Sequence, residues 1–222
     1  MKTSMLGKAQ RRALVKRWPE VATRGVADGG GHALFPGDLV RLPADVRLGS
    51  GEGFDVPGTV IGFAVGKDGS PSVAVHALAR SGGKVDSWRT WIVNGTYCNA
   101  IDESAATQML DRERILPLPS ASGDAPVPAD QRAVMSTAWM QVMVEGVRTK
   151  GGVVIKPGVL VRLPRNVARN RGSQLHAAGT CLGYAIGLDG SPWSLRPGGS
   201  GRRYWRVRGR RSSRACSVRP AG

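Results

Sequence analysis

The chain has 222 residues, with 32 Lys and Arg against 16 Asp and Glu, a formal net charge of +16 and only 5% aromatic residues. Its three cysteines, Cys98, Cys181 and Cys216, are odd in number, which excludes a disulfide framework and suits reduced thiols in the cytoplasm. The N-terminus is charged early and lacks the apolar run of a secretory leader, and no stretch approaches the roughly 20 apolar residues of a membrane span. A cytoplasmic protein with no membrane partner is expected.

The dominant feature is an internal repeat. Ala9 to Pro71 aligns without a gap on Asp130 to Pro192 at a constant offset of 121, and 26 of the 63 paired positions are identical. The anchors are PGDLVRLP (Pro36 to Pro43) with PGVLVRLP (Pro157 to Pro164), and GTVIGFAVGKDGSP (Gly58 to Pro71) with GTCLGYAIGLDGSP (Gly179 to Pro192). One register held over that length marks a duplicated unit. The expected organisation is module 1 over 1–118, a Pro/Ser/Ala-rich linker over 119–129, module 2 over 130–192 and an arginine-rich tail over 193–222. Each module is expected to fold as an amphipathic helix followed by a small β-barrel, an α+β class that is mainly β.

In chain order, Ala13, Leu14, Trp18, Val21 and Ala22 form an apolar helical stripe, interrupted by Pro19, where the helix is expected to kink or restart. The second copy carries Val134, Met135, Ala138, Trp139, Val142 and Met143 on the same spacing, with Asp130 as the expected N-cap. Trp18 and Trp139 are read as anchors of their helices. A glycine-rich turn and the LVRL strand follow. In the next strand Ile61, Phe63 and Val65 share one face and Gly62 and Ala64 the other; Leu182, Tyr184 and Ile186, with Gly183 and Ala185, repeat the pattern. The small face permits close approach, and the amphipathic helix is expected to lie over it. Asp68-Gly69-Ser70-Pro71 and Asp189-Gly190-Ser191-Pro192 end these strands as turns. Module 1 continues with strands near Ser72 to Leu78 and Ser87 to Val93, a short helix around Glu103 to Leu110 and a last strand near Arg114 to Leu118.

This strand order, with its GD-LV-L strand, long loop and G-T-V-x-G strand, resembles SH3-like small barrels, the group that includes KOW and Tudor modules. The resemblance covers about 60 residues of each module and implies a fold rather than an activity. The stretch GDLVRLPADVRLGSGEGFDVPGTVIG also looks like the opening of the MazF/PemK toxin endoribonucleases. The Arg-Pro pair that those proteins share at the second strand is here Val56-Pro57, and Ala177-Ala178 in module 2.

No catalytic or metal constellation emerges. His32, His76 and His176 lack repeat-equivalent histidines and metal-ligand spacing, and the glycines between Leu48 and Phe54 lack the lysine and hydroxyl residue of a phosphate-binding loop. A non-enzymatic protein without metal or cofactor is expected.

Charge is what the sequence offers instead. Residues 1–121 balance at +3, residues 122–192 at +4, and residues 193–222 hold nine Arg and no acid. The tail is read either as a disordered arm for nucleic acid or as the product of a frameshift in a GC-rich gene, which leaves module 2 incomplete; Tyr204-Trp205-Arg206 aligns with Ser87-Trp88-Arg89 if four residues are deleted. The N-terminal helix carries Lys8, Arg11, Arg12, Lys16 and Arg17. The loop between the two anchors changes from acidic in module 1 to basic in module 2, where Arg165, Arg169 and Arg171 stand. These eight residues are the expected contacts to phosphates, without base readout. The alternatives are a structural or adaptor protein of a phage or mobile element with a protein partner, and the endoribonuclease.

Overall fold

The computed structural model describes residues 6–43, 56–66, 68–81, 84–112, 127–148, 152–162, 178–197 and 204–208. The described residues form three α-helices and many antiparallel strands, an α+β arrangement that is mainly β.

Helix α1 (Lys8–Arg24) leads into β1 (Val26–Ala27), β2 (Ala33–Leu34), β3 (Leu39–Leu42), β4 (Val56–Val65), β5 (Pro71–Ser81) and β6 (Lys84–Asn94). A 3-10 turn at Gly95–Tyr97, β7 (Asn99–Ala100) and α2 (Glu103–Arg112) follow. The second half opens with α3 (Ala129–Glu145) and continues with β8 (Val147–Arg148), β9 (Val154–Ile155), β10 (Leu160–Arg162), β11 (Ala178–Thr180), β12 (Gly183–Ile186), β13 (Pro192–Pro197) and β14 (Tyr204–Arg208). The bounds of α1, β1 and β2 recur in α3, β8 and β9 at the 121-residue offset. So do the positive-φ glycines, in the pairs Gly25/Gly146, Gly31/Gly152, Gly37/Gly158 and Gly69/Gly190. Each turn is closed by the same chemistry. Asp68 Oδ1 accepts from Ser70 N and Oγ at 3.0 and 2.6 Å, and Asp189 Oδ1 from Ser191 N and Oγ at 3.0 and 2.5 Å.

Local expectations meet the structure unevenly. The α1 stripe buries Leu14, Trp18, Val21 and Ala22 but not Ala13. The helix neither stops nor restarts at Pro19, which lies on its exposed side; a proline has no N–H to offer the Val15 carbonyl. In α3 the N-cap is Pro128, and Asp130 sits inside the first turn, where its charge favours the helix dipole. Met135, Trp139 and Val142 are buried and Val134 is exposed. The strand expected near Arg114 to Leu118 lies outside the described residues.

The strands do not close into a barrel among the described residues. Eight of them form one open sheet in the order β14-β13-β12-β4-β3-β7, with β5 and then β6 on the other edge of β4. The reason is visible along β4. Its first residues pair with β3, and its last, beyond the register shift between Val60 and Gly62, pair with β12 of the other half. The edge that closure would need is taken. Gly183 pairs with Ala64, Tyr184 with Phe63 and Ala185 with Gly62. This register reads the same from either half, with Phe63 and Tyr184 at its centre.

That pairing corrects the expectation for the small-residue face. What approaches Gly62 and Gly183 is the backbone of the opposite strand, not a helix. A Cβ on Gly62 would lie 2.1 Å from the Tyr184 carbonyl oxygen, and one on Gly183 2.0 Å from that of Phe63. The aromatic core follows the same rule. Trp18 of α1 packs edge-on against Tyr184 at 5.1 Å, Trp139 of α3 against Phe63 at 5.0 Å, and the two indoles meet at 6.2 Å. Each tryptophan thus anchors its helix to the strand of the other half. Leu6 N donates to Thr180 Oγ1 and Ser136 Oγ to the Pro36 carbonyl, further bonds that cross between halves.

Candidate nucleic-acid interface

Helix α1 is capped by Gly7, whose N–H donates to Gln10 Oε1 at 3.0 Å while its carbonyl takes the Arg11 N–H. With Leu14, Trp18, Val21 and Ala22 turned inward, 3.6 residues per turn set Lys8, Arg12 and Lys16 in one row on the outer side, all exposed. The row spans about 12 Å at 1.5 Å per residue. It borders a shallow open groove of about 450 Å³ lined by Lys8, Arg11, Arg12, Val15 and Lys16. Val15, 54% exposed, gives that groove an apolar wall. Sequence reasoning passed it over, although an apolar residue between Arg11 and Lys16 on the polar side was the available signal.

The other expected contacts are placed differently. Arg17 pairs with Glu20, which also faces Arg24 at 3.9 Å. Arg11 is half-buried; it lines the groove, and its backbone carbonyl lies beside Gly158 of the second half. Arg165, Arg169 and Arg171 lie outside the described residues.

Two features set the row apart from ordinary helix decoration. The first turn of α1 holds no acid and begins with Lys8, a cation at the positive end of the helix dipole. In α3 the positions equivalent to Lys8, Arg12 and Lys16 are Ala129, Ala133 and Thr137. The same helix packs without these charges, so packing does not require them.

The buried titratable groups serve the scaffold. Asp28 Oδ1 accepts from Gly30 N and His32 N at 2.8 Å each and Oδ2 from Ala100 N at 2.9 Å, tying the β1–β2 turn to β7. Burial pushes its carboxyl upward, but the bonds from Ala100, His32 and Gly30 and the nearby His32 outweigh this, and the net shift is downward. Asp38, by contrast, is held above the usual carboxylate range by burial, despite a bond from Phe35 N and the Arg132 charge. Burial, reinforced by the charge of Asp28, lifts the Cys98 thiol to about 12. Among the described residues no group of three His, Cys, Asp or Glu could hold a metal ion, and no helix is long and apolar enough to cross a membrane.

No protein-family model matches the chain, and neither a curated protein nor a solved structure matches it.

Proposed function

We propose that the chain is a non-enzymatic binding protein, a duplicated helix-plus-small-sheet unit of SH3-like kind, that associates with nucleic acid through its phosphates and without base readout. The observation that carries this reading is the Lys8–Arg12–Lys16 row: three exposed cations that the equivalent helix α3 does without. A row of about 12 Å runs past about seven duplex charges at one per 1.7 Å of axis. The groove beside it supplies apolar wall but no stacking platform, in keeping with contact to the backbone alone. Arg165, Arg169, Arg171 and the arginines of 193–222 would add to the same field.

The test is binding of random-sequence DNA and RNA to the full chain across a salt series, read by fluorescence anisotropy. Lys8→Gln/Arg12→Gln/Lys16→Gln should flatten the log–log slope by about 2.7, at 0.9 per lost phosphate contact. An unchanged slope removes the row from the interface. Absence of binding at low salt supports the adaptor reading instead, and cleaved RNA the MazF/PemK-like one.

A further inference from the structure

Strands β3 and β10 begin with the same residues, Leu39-Val40-Arg41 and Leu160-Val161-Arg162, yet they are covered differently. The outer edge of β3 carries β7, with Val40 opposite Ala100 and Arg41 opposite Asn99, and Ile101 N donates to the Leu39 carbonyl at 3.0 Å. Helix α2 follows at once and packs on β3 and β4 with Ala106 and Leu110 buried, leaving Leu39 2% exposed. Among the described residues β10 pairs with β11 alone, and its outer edge has neither strand nor helix. Leu160 is 46% exposed and its neighbour Val159 42%.

The charges around the two strands differ in the same sense. Arg132 of α3 lies over the Gly37 turn, pairs with Glu103 in the first turn of α2, and bears on the half-buried carboxylate of Asp38. Arg11 of α1 holds the equivalent place over the Gly158 turn. There Asp38 is replaced by Val159, and no described carboxylate pairs with Arg11; the Nε atoms of Arg11 and Arg132 are alike buried without a hydrogen-bond partner, so the difference between them is the Glu103 pair. An apolar strand edge therefore lies beside an arginine whose counterpart pairs with the acid that opens α2.

We infer that the outer edge of β10, with Val159, Leu160 and Arg11, is the docking site for a strand–helix segment of a partner protein. The segment adds two or three extended residues to β10, then turns into a helix that opens with a carboxylate for Arg11 and lays two apolar residues four apart over Leu160. The intramolecular template is Asn99–Arg112, with Glu103, Ala106 and Leu110 in those roles. Strand addition gives such a site its affinity and the flanking side chains its selectivity. Charge argues against the chain's own residues 193–222 as the occupant, since they hold nine Arg and no acid. A second copy is disfavoured because its α2 is already seated on its own β3. The inference does not depend on nucleic-acid binding, although Arg11 also lines the groove beside the Lys8–Arg12–Lys16 row.

The probe is a fluorescent peptide of the Tyr97 to Arg112 sequence carrying Cys98→Ser, titrated onto the full chain. Saturable binding is expected, with at least a tenfold loss on Leu160→Asp and a comparable loss on Arg11→Glu. A peptide also carrying Glu103→Lys should regain affinity for the Arg11→Glu protein, a rescue that general charge attraction to a basic chain would not produce. Leu160→Ala, a milder change, should weaken binding in proportion if Leu160→Asp perturbs folding. The DNA salt slope of Leu160→Asp should match that of the wild type. The inference is overturned if the peptide does not saturate, if binding survives Leu160→Asp, if the charge exchange fails to rescue, or if the free chain forms a concentration-dependent dimer that Leu160→Asp abolishes.

Discussion

Replacing Gly183 by alanine tests the contact on which the molecule is built. The new Cβ would stand 2.0 Å from the Phe63 carbonyl oxygen and 2.8 Å from the Ala64 Cα, where ordinary contact starts at 3.4 Å. Both neighbours are backbone, so no rotamer can yield, and β12 must move away from β4 by more than 1 Å. The Val65 N–H to Leu182 carbonyl bond, now 2.9 Å, is then stretched out of hydrogen-bonding range, and the three residue pairs of the β4–β12 ladder go with it. At about 1 kcal/mol per bond the loss is about 3 kcal/mol, offset by about 0.4–1 kcal/mol from the lower entropy of the unfolded alanine chain. The net cost of about 2–3 kcal/mol corresponds to a drop in Tm of about 4–12 °C for a chain of this size. Gly31→Ala is the control. Its Cβ meets nothing within 4 Å, and only the φ of 86° resists, at about 1–2 kcal/mol before the same offset. Calorimetry on both variants, with Gly62→Ala as the mirror-image change, decides the matter. If Gly183→Ala melts no lower than Gly31→Ala, the halves do not meet through these strands.

Asp28→Asn should cost about 2 kcal/mol near neutral pH, since an amide cannot accept all three backbone N–H groups. Because folding lowers the Asp28 pKa, that stability is fully present above the unfolded value of about 3.9 and is lost as pH falls through the folded value, so the gap to wild type in urea melts should close below about pH 4. Cys98, fully buried with its thiol lifted to about 12, should resist alkylation at pH 8 and react only on denaturation; rapid labelling of Cys98 in the native protein, located by peptide mapping, would contradict its placement. Tyr184→Phe removes a 2.8 Å bond from the hydroxyl to the Ile155 carbonyl and should cost about 1 kcal/mol by denaturant titration. Trp139→Ala, which empties the contact with Phe63 and Trp18, should cost about 3–5 kcal/mol in the same assay.

The parts of this fold that were legible in the sequence are those set by local periodicity and turn chemistry. The stripe of Leu14, Trp18, Val21 and Ala22, the helix after Glu103 and the Asp-Gly-Ser-Pro turns all depend on neighbours within a few residues. The errors fall where the deciding partner is far along the chain. Gly62 and Gly183 announced a close approach, but residue type cannot say whether a helix or a strand arrives, and the strand that does arrive is 121 residues away. The open sheet in place of closed barrels has the same origin, since the strand edge that could close a barrel is used between halves. In the same way, the pairing of β13 and β14 sets Trp205 opposite Arg196, as Trp91 stands opposite Val75, rather than in the place of Trp88 that an alignment with a four-residue deletion would give. At the candidate interface, the five cations of α1 looked equal in sequence. Their order emerged only once the buried face was known: Lys8, Arg12 and Lys16 outward, Arg17 on Glu20, Arg11 half-buried at the edge of the groove.

The register at the centre also explains which positions were free to diverge. In a contact that reads the same from both sides, each residue type serves twice, so Gly62 and Gly183 restrain each other through Ala185 and Ala64, and a change in one copy disturbs the contact with the other. The outer row of α1, the turn position held by Asp38 or Val159 and the outer edge of β3 or β10 lie outside that ladder. Those are places where the halves differ in charge and in cover: Lys8, Arg12 and Lys16 against Ala129, Ala133 and Thr137, Asp38 against Val159, and an edge closed by β7 and α2 against one that is open among the described residues. Buried pairs such as Leu14/Met135 and Phe63/Tyr184 change without gaining or losing a charge, whereas these outer positions do change charge, the pattern that selection for a contact outside the chain would leave.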